Sequence, residues 1–346
     1  MHENFHALIR GDRKGLWPAA KRLGLWMLSL PYAGAVRIRN RVFDRGWRTI
    51  EVAPVPVVSV GNLTAGGTGK TPCVETIARF YRGLDRRVAI LSRGYGSTTS
   101  ANDEALVLEQ NLPDVPHLQG ADRVLLARTA VEELESEVLV LDDGFQHRRL
   151  KRDLDVVLID ATNPWGHGYL LPRGLLREPV SGLRRAQVVM LTRCDLLAPE
   201  RREAIWTEVR RLAPHAVPVE AAHEPAAWQN ASGAQQPPEA LRGRPVAAFC
   251  GIGNPEGFRR TLLQLGADIV AWRTFPDHHA YSREDIEDLR RWSRQQPAGA
   301  ALATTQKDLV KINLDHLGER ELWALQIRMQ IVRGQEEFER KLREVL

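Results

Sequence analysis

The stretch "SVGNLTAGGTGKTP", Ser59–Pro72, decides the fold. A run of valines precedes it, four glycines fall inside it, and Lys70, Thr71 and Pro72 close it. Val55–Val60 reads as a buried strand, Gly61–Gly69 as a turn, and Lys70 onward as a helix. The strict phosphate-loop pattern is G-x-x-x-x-G-K-[ST], and Thr64 stands where its first glycine belongs. The remainder, Gly66-Gly67-Thr68-Gly69-Lys70-Thr71, is a GGxGKT variant. Glycines let backbone N–H groups turn in around phosphate oxygens, and the helix N-terminus adds partial positive charge. Thr64, Ala65, Gly66, Gly67, Thr68, Gly69, Lys70 and Thr71 are therefore the expected nucleotide cradle. Lys70 reaches the β/γ oxygens and Thr71 ligates Mg²⁺.

Outward from the loop, apolar runs recur at Val88–Leu91, Glu137–Leu141, Val156–Ile159, Gln187–Leu191, Val246–Phe249 and Ala300–Ala303. Most are continuously apolar, as strands covered on both faces are. Helical patterns at Pro72–Leu84, Arg123–Leu134 and Ser282–Arg294 lie between them, and such alternation predicts an α/β protein with a mostly parallel sheet flanked by helices. The second run, "EVLVLDDGFQH" (Glu137–His147), ends in Asp142 and Asp143. One carboxylate at the tip of a strand beside the loop suits the second metal contact. "TRCD" (Thr192–Asp195) resembles a guanine-reading motif with Arg193 in place of lysine, and "TTQKD" (Thr304–Asp308) is a second candidate base-side loop. The stretch Asn230–Pro245 reads as a loop or linker near a boundary.

Composition limits the class. The 346 residues carry 48 basic and 43 acidic side chains, a net charge of +5 that admits anionic partners without choosing among them. Cys73, Cys194 and Cys250 are odd in number and far apart, against a disulfide framework or structural zinc. The first fifteen residues are mixed and polar, so no leader is expected and the cytoplasm is the expected compartment. Leu23–Val36 is free of charge, short of the roughly 18–20 residues of a spanning helix. With Trp17, Trp26 and Tyr32 nearby and Lys21, Arg22, Arg37, Arg39, Arg41, Arg45 and Arg48 around it, it suits either a helix in a lipid headgroup layer or one packed on the protein's own core.

Taken together, "SVGNLTAGGTGKTP", "LSRGYG" (Leu91–Gly96), "NDEALVL" (Asn102–Leu108), "LDDGFQHRRLKRDLD" (Leu141–Asp155), "LPRGLLREP" (Leu171–Pro179), "GIGNPEGF" (Gly251–Phe258), "FPDHHAY" (Phe275–Tyr281) and "TTQKDLVK" (Thr304–Lys311) resemble the tetraacyldisaccharide 4'-kinases, the lipid A kinases of Gram-negative bacteria. The resemblance implies a P-loop NTPase-like core over 51–240 and a smaller C-terminal α/β lobe over 241–346 that closes the active-site cleft. Residues 1–50 become a membrane-surface segment with an amphipathic helix. It implies ATP- and Mg²⁺-dependent phosphorylation of the 4'-hydroxyl of a tetraacylated glucosamine disaccharide 1-phosphate, giving lipid IVA. The work is done by a peripheral monomer on the cytoplasmic face of the inner membrane, without nucleic acid. Carried over residue by residue, Asp103 is the general base and His278 its partner, with His279 beside it. Lys70, Asp142, Asp143, His147 and Arg177 complete the catalytic set, and Thr71, Asp142 and Glu178 are the metal ligands. Arg173 and Leu175 stand where the family more often has Ala and Pro. The rival readings are a regulatory P-loop GTPase and a nucleic-acid-associated ATPase. The first wants lysine at Arg193, the second lysine at Ala65, and neither uses "DDGFQH".

Overall fold

A computed structural model of the chain describes residues 2–94 and 103–346. Tyr95, Gly96 and Asn102 of two quoted motifs lie outside the described residues. In chain order the elements are α1 (His2–Arg10), α2 (Leu16–Asp44), β1 (Val57–Asn62), α3 (Lys70–Arg82), β2 (Val88–Ser92), α4 (Asp103–Asn111), β3 (His117–Gln119), α5 (Arg123–Glu132), β4 (Val138–Asp142), β5 (Leu154–Asp160), β6 (Val188–Thr192), α6 (Pro199–Leu212), β7 (Val217–Gln229), β8 (Gln235–Gln236), β9 (Pro245–Cys250), α7 (Pro255–Gln264), β10 (Asp268–Thr274), α8 (Arg283–Arg294), β11 (Ala301–Thr305), α9 (Gln306–Ile312), β12 (His316–Leu317), β13 (Arg320–Arg333) and α10 (Gln335–Arg343). Strand β1 starts two residues later than the apolar run suggests, because Pro54 and Pro56 have no N–H to give a ladder.

The chain forms two units, one of 1–93, 115–222 and 329–346, the other of 94–114 and 223–328. These are not the contiguous spans 51–240 and 241–346. Residues 94–114 join the second unit because α4 packs on α9, with Lys307 Nζ 2.7 Å from Glu104 Oε1 and Gln306 Nε2 donating to Asn111 Oδ1 at 2.7 Å. The C-terminal helix α10 joins the first unit by burying Phe338 and Leu342 and by accepting, at the Leu342 carbonyl, the Tyr81 hydroxyl at 2.8 Å. Segment 1–50 is likewise part of the first unit, for α2 buries Ser29, Ala33 and Val36 there.

In the first unit the strands run β7-β6-β5-β1-β4-β2-β3, with parallel pairing throughout. The loop strand β1 lies between β4 and β5, and its six residues are all buried. On one side of the sheet, Val57, Leu139 and Leu141 join a core with Ala127 and Ala130 of α5. Val157, Ile159, Val189 and Leu191 form another core with Trp206 and Val209 of α6. Helix α3 buries Cys73, Val74, Ile77, Ala78 and Tyr81. Both sheet faces are thus covered, which explains the unbroken apolar runs.

The second unit has parallel neighbours β10-β9-β11-β13, with β8 antiparallel to β7 and β12 antiparallel to β13. Along β9, Val246, Ala248 and Cys250 enter one core and Ala247 and Phe249 the other. That is the two-residue period of a strand with two buried faces. The stretch 230–245 is not a linker: β8 forms a hairpin with β7, Leu241 is buried, and Trp228 Nε1 donates to the Pro238 carbonyl at 2.9 Å.

Candidate active site

In the first unit, the turn after β1 is fixed from outside before any ligand arrives. Arg193 Nη2 donates to the Gly67 carbonyl and Thr192 Oγ1 to the Thr68 carbonyl, both at 2.9 Å. In a trans peptide the N–H opposes the C=O. Tying those carbonyls outward therefore aims the Thr68 and Gly69 N–H groups the other way. Asn62 Nδ2 donates to Thr68 Oγ1 at 2.8 Å. The Ala65 N–H is bonded to the Leu175 carbonyl and the Arg177 N–H to the Leu63 carbonyl, each at 2.7 Å, so "LPRGLLREP" braces the other flank. Gly66 has φ +114° with open space where a Cβ would stand, and Gly69 caps α3 in the left-handed region. A concave, glycine-lined turn at a helix N-terminus is a built anion site. Arg193, read from sequence as a base-side residue, instead pairs with Asp160 and clamps the loop.

The acidic pair comes to this loop by close packing. Val60 lies opposite Asp142 in the β1/β4 register. The Gly144 N–H bonds the Val60 carbonyl at 3.0 Å. A Cβ on Gly144 would stand 2.7 Å from Leu141 Cβ and from Ser59 Oγ, and one on Gly61 would stand 2.5 Å from Phe145 Cβ. Only glycine fits either place, and that contact sets the acids beside the loop.

Asp143 sits at φ +54°, accepts from Arg177 Nη1 at 2.8 and 2.7 Å, and lies 3.7 Å from Lys70 Nζ. Burial alone would raise its pKa, but Lys70 and Arg177 outweigh it and hold the carboxyl below the ordinary value. Asp142 is buried at the strand tip. Thr71 is buried in the first turn of α3. Glu178 is wholly buried: Arg185 Nη2 reaches both its oxygens at 3.0 and 2.9 Å, and Gln146 Nε2 and Asn40 Nδ2 donate at 2.9 and 3.3 Å. His147 turns its Nε2 into a buried place with no hydrogen-bond partner among the described residues. Burial, then Arg123, Arg149 and Arg152, pushes its imidazole down to about 4, so it is neutral at pH 7.

In the second unit, Asp103 and His278 meet as the motif pair requires. His278, at φ +58°, sets Nδ1 at 3.1 and 3.0 Å from the two Asp103 oxygens. Asp103 is 5% exposed whereas the His278 side chain is 59% exposed, so the contact joins a buried carboxylate to an imidazole that water reaches. Burial raises its pKa, yet the His278 bond and the charges of Lys307 and Lys311 prevail and lower it. His278 is correspondingly raised, first by its bond to Asp103. The neighbouring His279 goes elsewhere: its Nε2 is 3.1 Å from Asp285 Oδ2, and its ring stacks on Phe275.

"TTQKDLVK" supplies the floor of this pair. Fully buried Asp308 accepts the Gly251 N–H at 3.1 Å, the Tyr281 hydroxyl at 3.0 Å and the Thr305 hydroxyl at 2.6 Å. It also holds Lys311 Nζ at 3.4 Å, which leaves that ammonium 3.8 Å from Asp103. In sequence this motif is a candidate base-side loop and one of the family-like stretches, and a lysine one turn beyond a Thr-x-x-Asp cap is the signal for Lys311.

The comparisons agree with these motifs. The family profile for Tetraacyldisaccharide-1-P 4'-kinase matches residues 21–346. A tetraacyldisaccharide 4'-kinase of Anaeromyxobacter sp. (strain K) is 42% identical over 96% of this chain and 92% of its own length. One from Syntrophus aciditrophicus (strain SB) is 40% identical over 87% of each. A crystal structure of the "apo" form of LpxK from Aquifex aeolicus in complex with ATP superposes with a TM-score of 0.76 at 30% identity, covering 94% of this chain and 99% of that one. The chain belongs to the tetraacyldisaccharide 4'-kinase family.

Proposed function

We propose that this chain moves the γ-phosphoryl group of ATP to the 4'-hydroxyl of a tetraacylated glucosamine disaccharide 1-phosphate, giving lipid IVA. Thr64–Thr71 cradles the triphosphate and Asp103 takes the hydroxyl proton. The observation that carries the reading is the buried Asp103 carboxylate held at 3.0 Å by His278. A sugar alcohol is a poor nucleophile at neutral pH, so a fixed, ionised acceptor for its proton lowers the barrier. With His278 neutral, the pair accepts that proton; with His278 protonated, its positive charge already satisfies the carboxylate. The rest of catalysis is positioning and charge: Lys70 and Arg177, both beside Asp143, neutralise developing negative charge on the transferred group.

Thr71 and Asp142 offer one hydroxyl and one carboxylate, an all-oxygen set. Among the described residues no cluster of three or more His, Cys, Asp or Glu could hold a metal. Such a sparse set suits Mg²⁺, which draws most of its ligands from phosphate and water and, when bound, neutralises phosphate charge. Glu178, already engaged by three side chains, organises the loop that carries Arg177. His147, neutral and partly buried, stands four residues beyond Asp143 with its Nε2 turned inward.

Four acyl chains keep the acceptor in a bilayer, so the enzyme works at its surface. No helix among the described residues is long and apolar enough to cross a membrane. Opposite the buried face of α2, Leu16, Leu23, Met27, Leu30 and Ile38 recur at helical spacing and are exposed. With the arginines around them they support peripheral contact with an anionic cytoplasmic leaflet. One chain supplies every assigned residue, so a monomer suffices. Lys70→Ala tests the assignment: transfer from labelled ATP to the disaccharide 1-phosphate in detergent should fall by at least about a hundredfold. Retained transfer would remove the cradle from the mechanism.

A further inference from the structure

Helix α2 has a second task that its exposed face does not suggest. On its inner face, the Tyr32 hydroxyl donates to the Arg177 carbonyl at 2.8 Å, and Asn40 Nδ2 donates to Glu178 Oε2 at 3.3 Å. These are consecutive residues of the loop whose arginine grips Asp143. Further along the helix, Arg148 returns two bonds, to the Asn40 carbonyl at 3.0 Å and to Asp44 Oδ1 at 2.8 Å. Arg148 directly follows "DDGFQH". One helix therefore binds the ends of both segments that converge on Asp143.

The bond from Tyr32 is specific in what it fixes. The Arg177 N–H is already tied to the Leu63 carbonyl. Holding the Arg177 carbonyl as well pins the peptides on both sides of its Cα, which leaves only side-chain torsions free. Asn40 adds a donor to a fully buried carboxylate, where every missing bond is costly. The opposite face of the same helix presents Leu16, Leu23, Met27, Leu30 and Ile38 to solvent.

We propose that Tyr32 and Asn40 are positioning residues through which the lipid-facing helix α2 sets Arg177 against Asp143, so that seating α2 governs turnover as well as attachment. The inference rests on the kinase reading above and on lipid contact by the outer face. Removing the Tyr32 hydroxyl leaves α2's apolar face and the nucleotide cradle intact. It should lower kcat without altering ATP KM or membrane binding.

The test uses full-length Tyr32→Phe and Asn40→Ala. Transfer from labelled ATP to the disaccharide 1-phosphate is measured in detergent and in phosphatidylethanolamine/phosphatidylglycerol vesicles, beside vesicle co-sedimentation and thermal melting. One lost neutral hydrogen bond predicts a roughly two- to tenfold fall in kcat for Tyr32→Phe. ATP KM and co-sedimentation should stay at wild-type values, and Tm should fall by no more than a few degrees. Wild-type kcat in both variants overturns the proposal. So does a rate loss matched by an equal loss of co-sedimentation, which makes α2 an anchor only. If Tyr32→Phe lowers Tm further than that, Asn40→Ala decides by the same criteria. A wild-type chain that transfers no phosphate defeats the kinase reading instead, and the two failures are thereby told apart.

Discussion

If His278 acts only through Asp103, removing both residues should cost scarcely more than removing Asp103. The perturbation is a cycle of Asp103→Ala, His278→Ala and the double variant. A positioned general base is worth about 10²–10⁴ in rate, so Asp103→Ala should lose about 3–5 kcal/mol of transition-state stabilisation. The His278 contact, at 3.0 and 3.1 Å to a carboxylate that is 5% exposed, is a charge-assisted bond. Such bonds contribute about 1.5–3 kcal/mol, which predicts a loss of roughly 10- to 150-fold for His278→Ala. Independent effects would multiply to about 10³–10⁶ in the double variant; a shared task keeps it near the Asp103→Ala value. Initial rates with labelled ATP and the disaccharide 1-phosphate in detergent, at saturating ATP, read all four corners. Multiplicative losses would refute the dyad.

The pH dependence follows from the same pair. His278 is raised above the ordinary histidine value by Asp103, so kcat/KM should climb with pH through an apparent pKa above about 6.5 as His278 loses its proton; the limb should vanish in His278→Ala, and its persistence would assign it elsewhere. Arg193→Met removes the clamp on the Gly67 carbonyl and should raise ATP KM about tenfold, the equivalent of one partly exposed charged bond, whereas an unchanged KM would leave Arg193 a bystander. Gly144→Ala forces a Cβ to within 2.7 Å of Leu141 and Ser59 and should cost about 1–3 kcal/mol, seen as a Tm lower by a few degrees; wild-type melting would mean the acids are not set by that packing. Deleting Met1–Arg22, or placing Asp at Leu23, Met27 and Leu30, should weaken liposome co-sedimentation while ATP affinity holds, and unchanged co-sedimentation would end the interfacial assignment.

Much of this architecture was legible because two-sided burial writes itself as unbroken apolar runs. β1, β2, β4, β5, β6, β9 and β11 all coincide with such runs. Strands β7 and β13 were not seen: "VPVEAAHEPAAWQ" mixes charge and proline with apolar residues, "RELWALQIRMQIVR" mixes charge and amides with them, and β7 buries only part of its length. The two units differ from the contiguous spans 51–240 and 241–346 because composition marks turns and says nothing about which core a helix will enter. Helix α4 is held by Glu104–Lys307 and Asn111–Gln306, partners about two hundred positions away. The glycine-rich turn between β1 and α3 was readable from local spacing alone. Asp103 and His278 were readable only as members of a joint motif series, since each by itself resembles a cap or a loop histidine. Tyr32, Asn40 and Arg185 carried no local signal at all, because their meaning lies in contacts that exist only after folding.

The central claim is that the phosphoryl group ends on the acceptor's 4' oxygen. The direct measurement is phosphorus NMR of the purified lipid product after incubation of the intact chain with ATP, Mg²⁺ and the tetraacylated disaccharide 1-phosphate. A second phosphomonoester, coupled to the proton at the 4' carbon, should form with the wild-type chain and be absent with Asp103→Ala over the same interval. ATP consumption with no new lipid phosphate, or a phosphate at another oxygen, would contradict it.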